Sequence, residues 1–472
     1  MKKKVGLTLD SEVDDVIDSM RKLLVRVDQL VIFRSVLQDP VVTALLDCLG
    51  GMATNRLHSP KIFRRVAKNY AYFFSGLASK VEFGQASYVG TPWQNHLLNI
   101  ILRDENLFSR KAERNGMNEL GKSLVFQVEE DLARLQELFS LKSEQVRMMF
   151  QVVGWETAWP GWDRFQKKEV ASSEAIDHLS MKQLLAQTGE WGPLVPELAA
   201  FYAQQGAGIF SEFRAFCWKP RLGGGFLQGI SVPDPILMDD LIGFEDQKEW
   251  LIRNTSYFLA GHPANNILVC GDRGTGKSSS IKALLNHFAH QSLWMVEISR
   301  EDLNDLPEVM KLLRERKQFF IIFIDDLSFE EGETKYKTLK AVLEGSLESR
   351  PPNILVYATS NRRHLISEFF SDRNGLRSDE IRVQDTLQEK VSLADRFGIQ
   401  LVFIALDQRQ YLDIVHSMCD KRGLKLSQQD LERRALEWTQ LYNVRSGRTA
   451  RQFTDYLSAE LLTCSLEEQT NN

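Results

Sequence analysis

Residues 271–278 read Gly271-Asp272-Arg273-Gly274-Thr275-Gly276-Lys277-Ser278, the pattern G-x-x-x-x-G-K-S/T. Glycines so spaced let a loop curl until successive backbone N–H groups converge on phosphate oxygens, and a helix starting there adds its positive pole. The apolar run Ile267-Leu268-Val269-Cys270 precedes the loop and a helical stretch, Ser279 to Phe288, follows it. Strand, loop and helix thus stand in the order this chemistry needs. Lys277 is expected at the β- and γ-phosphates, the Ser278 hydroxyl at Mg²⁺, and the residues from Gly271 through Ser279 around a nucleotide. Downstream, the apolar run Phe319 to Ile324 ends in Asp325-Asp326. Carboxylates at the tip of a buried strand can serve a metal and an attacking water. Asp325 is expected at Mg²⁺, usually through its water shell, and Asp326 at the water. The carboxylate of Asp326 stands one methylene further back than a glutamate's would.

Such a loop and such an acid must be held by a sheet. Ile267 to Cys270, Trp294 to Ile298, Phe319 to Ile324, Ile354 to Tyr357 and Leu401 to Ile404 are short apolar runs separated by helical stretches. Continuous apolar strands between helices predict a parallel, five-stranded sheet covered on both faces, an α/β core over residues 236–405. Residues 406–472 turn helical again, through Tyr411 to Asp420, Asp430 to Leu441 and Thr449 to Leu462. Residues 1–212 read as all-α. Val13, Val16, Met20, Leu23, Leu24 and Val27 recur at helical spacing, as do apolar residues in Trp93 to Leu102 and Leu120 to Leu141. Between them, residues 213–235 carry Gly223-Gly224-Gly225 and Pro233-Asp234-Pro235, the texture of a linker.

Bulk properties narrow the setting. The chain has 472 residues, 43% hydrophobic and 26% charged, an ordinary globular balance that excludes wholesale disorder. Lys and Arg number 58 against 63 Asp and Glu, a net charge of −5, which gives no global attraction to nucleic acid or anionic membrane. The start, Met1-Lys2-Lys3-Lys4, leads into Leu9-Asp10-Ser11-Glu12 rather than an apolar core, unlike a secretory signal. No apolar run approaches the length of a spanning helix. Cys48, Cys217, Cys270, Cys419 and Cys464 are scattered, which suits a reduced, cytoplasmic chain.

The whole set of motifs over residues 236–463 resembles an AAA+ P-loop ATPase. Asp239-Asp240-Leu241-Ile242-Gly243-Phe244 resembles the stretch beside the adenine in that superfamily, which would bring Ile242 and Gly243 to the nucleotide. Tyr357-Ala358-Thr359-Ser360-Asn361 resembles the sensor-1 strand, with Asn361 at the γ-phosphate or water. Leu393-Ala394-Asp395-Arg396-Phe397-Gly398 resembles the arginine-finger segment, closely so for the branch-migration motor of Holliday junctions. Arg396 would then stabilise transition-state charge in a neighbouring subunit. Arg373 and Arg377 compete for that role. Ser446-Gly447-Arg448 resembles sensor 2, with Arg448 on phosphate and Arg451 as the alternative. The resemblance implies a helical lid and, often, ring-shaped homo-oligomers. More narrowly, Ile324 to Glu330, Leu343 to Glu348 and Ala358 to Arg363 are similar to a bacterial family of predicted AAA+ ATP-binding proteins of unknown function. Most of the superfamily has Glu where Asp326 stands, which leaves slow hydrolysis open.

Other features read as packing or surface. His287 and His290, three apart on a helix, lack the carboxylate or cysteine company of a metal site. Trp155, Trp159 and Trp162, interrupted by Pro160 and Gly161, fit a packed loop better than a stacking platform. Arg362-Arg363 fit a solvated face. The expected function is an ATPase that uses Mg²⁺ and remodels a protein client held by the amino-terminal helices. An ATP-gated switch or scaffold with slow hydrolysis is the alternative. A DNA-handling initiator, loader or branch-migration factor is a further one, although the acidic balance and the lack of a DNA-binding module give nucleic acid no support.

Overall fold

Apolar residues three and four apart wind residues 17–28 into α1, burying Met20 and Val27. This computed structural model describes residues 17–54, 59–83, 88–152, 160–165, 176–329, 335–344, 351–361, 395–424, 426–442 and 445–470. The chain divides into two compact units, Met1–Glu212 and Phe213–Asn472.

The first unit is all-α among its described residues. After α1 come α2 (Pro40–Met52), α3 (Pro60–Phe83), α4 (Pro92–Arg103), α5 (Leu107–Asn115), α6 (Lys122–Phe139), α7 (Ser143–Val152), α8 (Ile176–Gln187) and α9 (Val195–Gln205). Local signals start several of them. Asp39 accepts from the backbone N–H groups of Val41 and Val42, and Thr91 with Gln94 forms a reciprocal cap on α4. One core holds them together, including fully buried Trp93, Leu97, Leu132, Leu135 and Tyr202. Trp162 is fully buried, its ring edge-on to Phe73 at 5.2 Å, so it is packed and offers no platform. Trp155 and Trp159 lie outside the described residues.

The second unit opens with a correction. Residues 213–235, expected as a linker, contain β1 (Ala215–Arg221) and β2 (Gly224–Gly229), an antiparallel hairpin whose first strand pairs in parallel with β4 (Leu293–Ile298). The glycines there serve packing. A Cβ on Gly225 would lie 2.0 Å from the ring of Trp218, which is buried in the hairpin. The sheet therefore has seven strands where five were expected, ordered β2-β1-β4-β5-β6-β3-β7. The five expected ones are β3 (Ile267–Gly271), β4, β5 (Phe319–Ile324), β6 (Ile354–Ser360) and β7 (Ile399–Phe403), all parallel. Helix α10 (Glu245–Leu259) precedes β3, and α11 (Lys277–His287), α12 (Leu306–Arg314) and α13 (Lys335–Glu344) lie between β3 and β4, β4 and β5, and β5 and β6.

A helical lid follows: α14 (Gln408–Lys421), α15 (Gln428–Tyr442) and α16 (Gly447–Thr470). It has its own core of Tyr411, Val415, Ala435, Phe453 and Leu457, against which Ile242 and Phe244 pack. No helix among the described residues is long and apolar enough to cross a membrane. Cys48, Cys217, Cys270 and Cys419 carry free thiols.

Candidate functional site

Parallel register ends four strands at one edge of the sheet. Gly271 pairs with Phe403, Cys270 with Ser360, and Ile324 with Ala358. The phosphate loop, the acidic tip of β5 and the end of β6 are thereby neighbours, although they are far apart in the chain. Gly271 has φ 141°, and a Cβ there would lie 1.8 Å from the Phe403 carbonyl oxygen, so only glycine fits. Asp272 N–H donates to that same carbonyl at 3.2 Å. The curl is closed from within by Thr275 Oγ1, which donates to Asp272 O at 2.8 Å.

Lys277 opens α11 and is buried. Its ammonium donates to Gly271 O at 2.8 Å and Asp272 O at 2.6 Å. Loss of water around it pushes its pKa below that of an ordinary lysine, against the pull of Asp272, Asp326 and Asp325.

The next residue begins a chain of hydrogen bonds across the strand ends. Ser278 Oγ donates to Asp325 Oδ1 at 2.6 Å. Thr359 Oγ1 donates to the same oxygen at 2.6 Å and accepts from Asp326 N–H at 2.9 Å. Asn361 Nδ2 donates to Asp326 Oδ1 at 2.5 Å. Asp326 sits at φ 51°, in the left-handed region that aspartate tolerates better than most residues. That turn takes its carboxylate off the strand direction towards Asn361. The donors nearest the loop are hard oxygens, one hydroxyl and one carboxylate, which suit Mg²⁺ because that ion takes few protein ligands and completes its shell with water and phosphate. Among the described residues no group of three His, Cys, Asp or Glu forms a protein cage for a metal. His287 instead packs edge-on to Phe288 at 4.8 Å.

The lid meets the loop at its tip. Gly447 N–H donates to Gly274 O at 2.9 Å. Gly274 has φ 79°, and a Cβ on it would lie 2.6 Å from Ser446 Cβ. Arg448 follows at the start of α16 and is exposed, as is Arg451. Lys421 of α14 pairs with the Asp240 carboxylate, whose pKa that bond lowers. Ile242 and Gly243, expected beside the base, lie just beyond, with Ile242 against the lid core and Gly243 turning at φ 82°.

The structure thus brings together Lys277, Ser278, Asp325, Asp326 and Asn361, with Arg448 on the element that touches Gly274. Arg396 stands elsewhere. It precedes β7 at the end that pairs with Ile267, opposite the end where Phe403 meets Gly271. Arg373, Arg377, Arg362 and Arg363 lie outside the described residues. Thr359 and Ser446 are contacts that motif reading passed over. A polar residue two before Asn361 on a largely apolar strand was the available signal for the first; for the second it was a serine directly before a helix, a favoured N-cap residue.

Residues 211–461 match the model of a family described as "Protein of unknown function (DUF815)". No curated protein matches the chain. The Thermotoga maritima RuvB Holliday junction branch migration motor aligns at 13% identity with a TM-score of 0.30, over 47% of this chain and 72% of that one. A single-residue variant of that RuvB aligns at 13% identity with a TM-score of 0.31, over the same shares. A structure of the Escherichia coli HORMA:CdnC:Trip13 complex aligns at 14% identity with a TM-score of 0.30, over 46% of this chain and 89% of that one.

Proposed function

The chain belongs to this DUF815 family, and we propose that its second unit is an AAA+-type P-loop core that binds Mg–ATP at the phosphate loop and hydrolyses it. The observation that carries the reading is the continuous hydrogen-bond chain Ser278–Asp325–Thr359–Asp326–Asn361 beside a buried lysine. A bound Mg²⁺ would supply charge neutralisation for the triphosphate. In this reading Lys277 exchanges its two loop carbonyls for the β- and γ-phosphates. Ser278 and Asp325 would hold the metal, and Asp326 would take the proton of the attacking water on one carboxylate oxygen while Asn361 holds the other in place.

Arg396 would act on a neighbouring subunit of a ring-shaped homo-oligomer. The strand between it and the loop end spans four residue steps of about 3.3 Å, roughly 13 Å, beyond the reach of the side chain to its own phosphates. Nucleotide state would reach the lid through Gly447 and Arg448, and from there a protein client. The first unit offers such a client exposed apolar side chains, among them Tyr72, Leu107 and Phe126.

A slowly hydrolysing ATP-gated switch is the second reading. It is favoured by the short reach of Asp326 and by the Asn361 amide already on one of its two oxygens. Titration calorimetry of the intact chain with Mg–ATP tests the shared premise. Binding heat is expected from the wild type and not from Lys277→Ala, and a folded wild type that gives no heat sinks both readings. Measurable steady-state turnover then favours the hydrolase over the switch.

A further inference from the structure

Thr359 is 1% exposed and lies one residue beyond the point where β6 stops pairing with β5. From there it holds three consecutive residues of the β5 exit. Its hydroxyl donates to Asp325 Oδ1 at 2.6 Å and accepts from Asp326 N–H at 2.9 Å, and its carbonyl accepts from Leu327 N–H at 2.7 Å. One hydroxyl therefore touches both acids of the site, the first through its side chain and the second through its backbone. The side chain of threonine is stiff at χ1 because two heavy atoms branch from Cβ, so the oxygen between the two aspartates has little freedom to wander.

Each contact has a consequence. A carboxylate free to rotate about χ2 presents either oxygen in many directions. The Thr359 and Ser278 hydroxyls both donate to Oδ1, which sets the plane of the Asp325 carboxylate and directs Oδ1 at the residue that follows Lys277. Asp326, in turn, keeps a left-handed backbone at φ 51°, which only the surrounding structure can hold in place. Thr359 accepts from both Asp326 N–H and Leu327 N–H, and these bonds hold the turn together with a longer one from Asp326 N–H to Asp325 Oδ1 at 3.2 Å and the Asn361 amide on the carboxylate. Without them the chain relaxes towards the extended direction of β5, and the Asp326 carboxylate leaves Asn361.

We propose that Thr359 is a positioning residue for this site. It fixes the metal-facing carboxylate and the water-facing carboxylate as one rigid pair without itself touching the nucleotide. The inference rests on the Mg–ATP reading and deepens it.

The test compares the intact wild type with Thr359→Val, which keeps the shape and removes the hydroxyl, and Thr359→Ser, which keeps the hydroxyl. Two measurements avoid activity: Mn²⁺ binding in the presence of ADP, followed by paramagnetic resonance, and amide hydrogen exchange at residues 325–327 in nucleotide-free protein. Thr359→Val is expected to weaken Mn²⁺ binding by about 10–100-fold, the usual effect of removing a group that orients a metal ligand, and to speed exchange at 326, whereas 327, whose N–H donates to the retained backbone carbonyl of residue 359, serves as the internal control. It should also lower kcat more than it raises KM for ATP. Thr359→Ser is expected to restore most of each. A Thr359→Val protein that melts earlier but matches the wild type in Mn²⁺ affinity and kcat has lost only packing, and that result overturns the inference while leaving the nucleotide reading intact. A wild type that binds ADP only without metal, or not at all, overturns both and is recognised because the wild type itself is silent.

Discussion

Replacing Gly274 with alanine should uncouple the lid from the phosphate loop, at a cost that can be worked out in two parts. The backbone there has φ 79°, where an L side chain costs about 1–2 kcal/mol. The new methyl would also lie 2.6 Å from Ser446 Cβ and 2.8 Å from Ser446 Oγ. Ser446 cannot easily give way, because it is buried and its Oγ accepts from Thr449 N–H at 3.0 Å to cap α16. Overpacking of this kind costs about 1–3 kcal/mol, for a total of about 2–5 kcal/mol. Gly276→Ala is the control. Its φ of 92° carries the same backbone strain, but no atom lies within 4 Å of the added Cβ, so about 1–2 kcal/mol is expected. Urea unfolding of both variants, each in wild-type and Ser446→Gly backgrounds, isolates the contact. A coupling of about 1–3 kcal/mol is expected between positions 274 and 446, and almost none between 276 and 446. Equal costs for the two alanines, or equal coupling at 276, would refute the claim that the lid rests on the loop at Gly274.

Asp326→Asn keeps an oxygen to accept from Asn361 but cannot take a proton, so kcat should fall by about 10²–10⁴-fold while calorimetric ATP affinity is retained; unchanged turnover would remove Asp326 from the chemistry. Arg396→Ala should be inactive alone and regain activity when mixed with Lys277→Ala subunits, since each supplies what the other lacks; a failure to complement in a mixed assembly would place the working arginine elsewhere. In the first unit, burial pushes the His96 imidazole below an ordinary histidine, although Asp39 at Nε2 pulls it up; Lys80 at Nδ1 and Arg103 push the same way as burial. The unfolded chain therefore binds more protons than the folded one between that lowered value and about 6.5. Stability should fall as pH drops through this window and level off below it. Thermal midpoints of wild type and His96→Gln from pH 7.5 to 5.5 read this directly, and parallel curves would show that His96 does not contribute.

The core strands and the loop were legible because their signals are local. Ile267 to Cys270 and Phe319 to Ile324 are apolar throughout, as a strand covered on both faces must be, and the glycine-lysine-serine run is contiguous. The hairpin was not legible, because Gly223-Gly224-Gly225 is equally the composition of a flexible connection. What distinguishes it is the Trp218 ring lying where a Gly225 side chain would be, a cross-strand contact that neither composition nor periodicity announces even though the two residues stand close in the chain. Strand count failed for that reason, while strand identity held.

The site shows the same division, and it bears on how the site works. Lys277, Ser278 and Asp325 could be named from motifs because the proposed role of each is to touch phosphate or metal, and ligand chemistry dictates residue type. Thr359 and Ser446 touch only protein, and protein neighbours dictate geometry without dictating a motif. Yet Thr359 reaches Asp325 from 34 residues away, and Gly447 reaches Gly274 from the lid. These two long-range contacts bear on the two ends of the same loop-and-acid pair: one orders the carboxylates opposite Ser278, and the other rests the lid on the loop tip. A change of nucleotide that moved the loop tip would be felt at Gly447, and one that moved the metal would be felt at Asp325 and, through the Thr359 hydroxyl, at Asp326. Coupling of lid and chemistry would thus run through the loop itself, so a lid variant at Ser446 should alter nucleotide affinity before it alters the metal requirement, and a Thr359 variant should do the reverse.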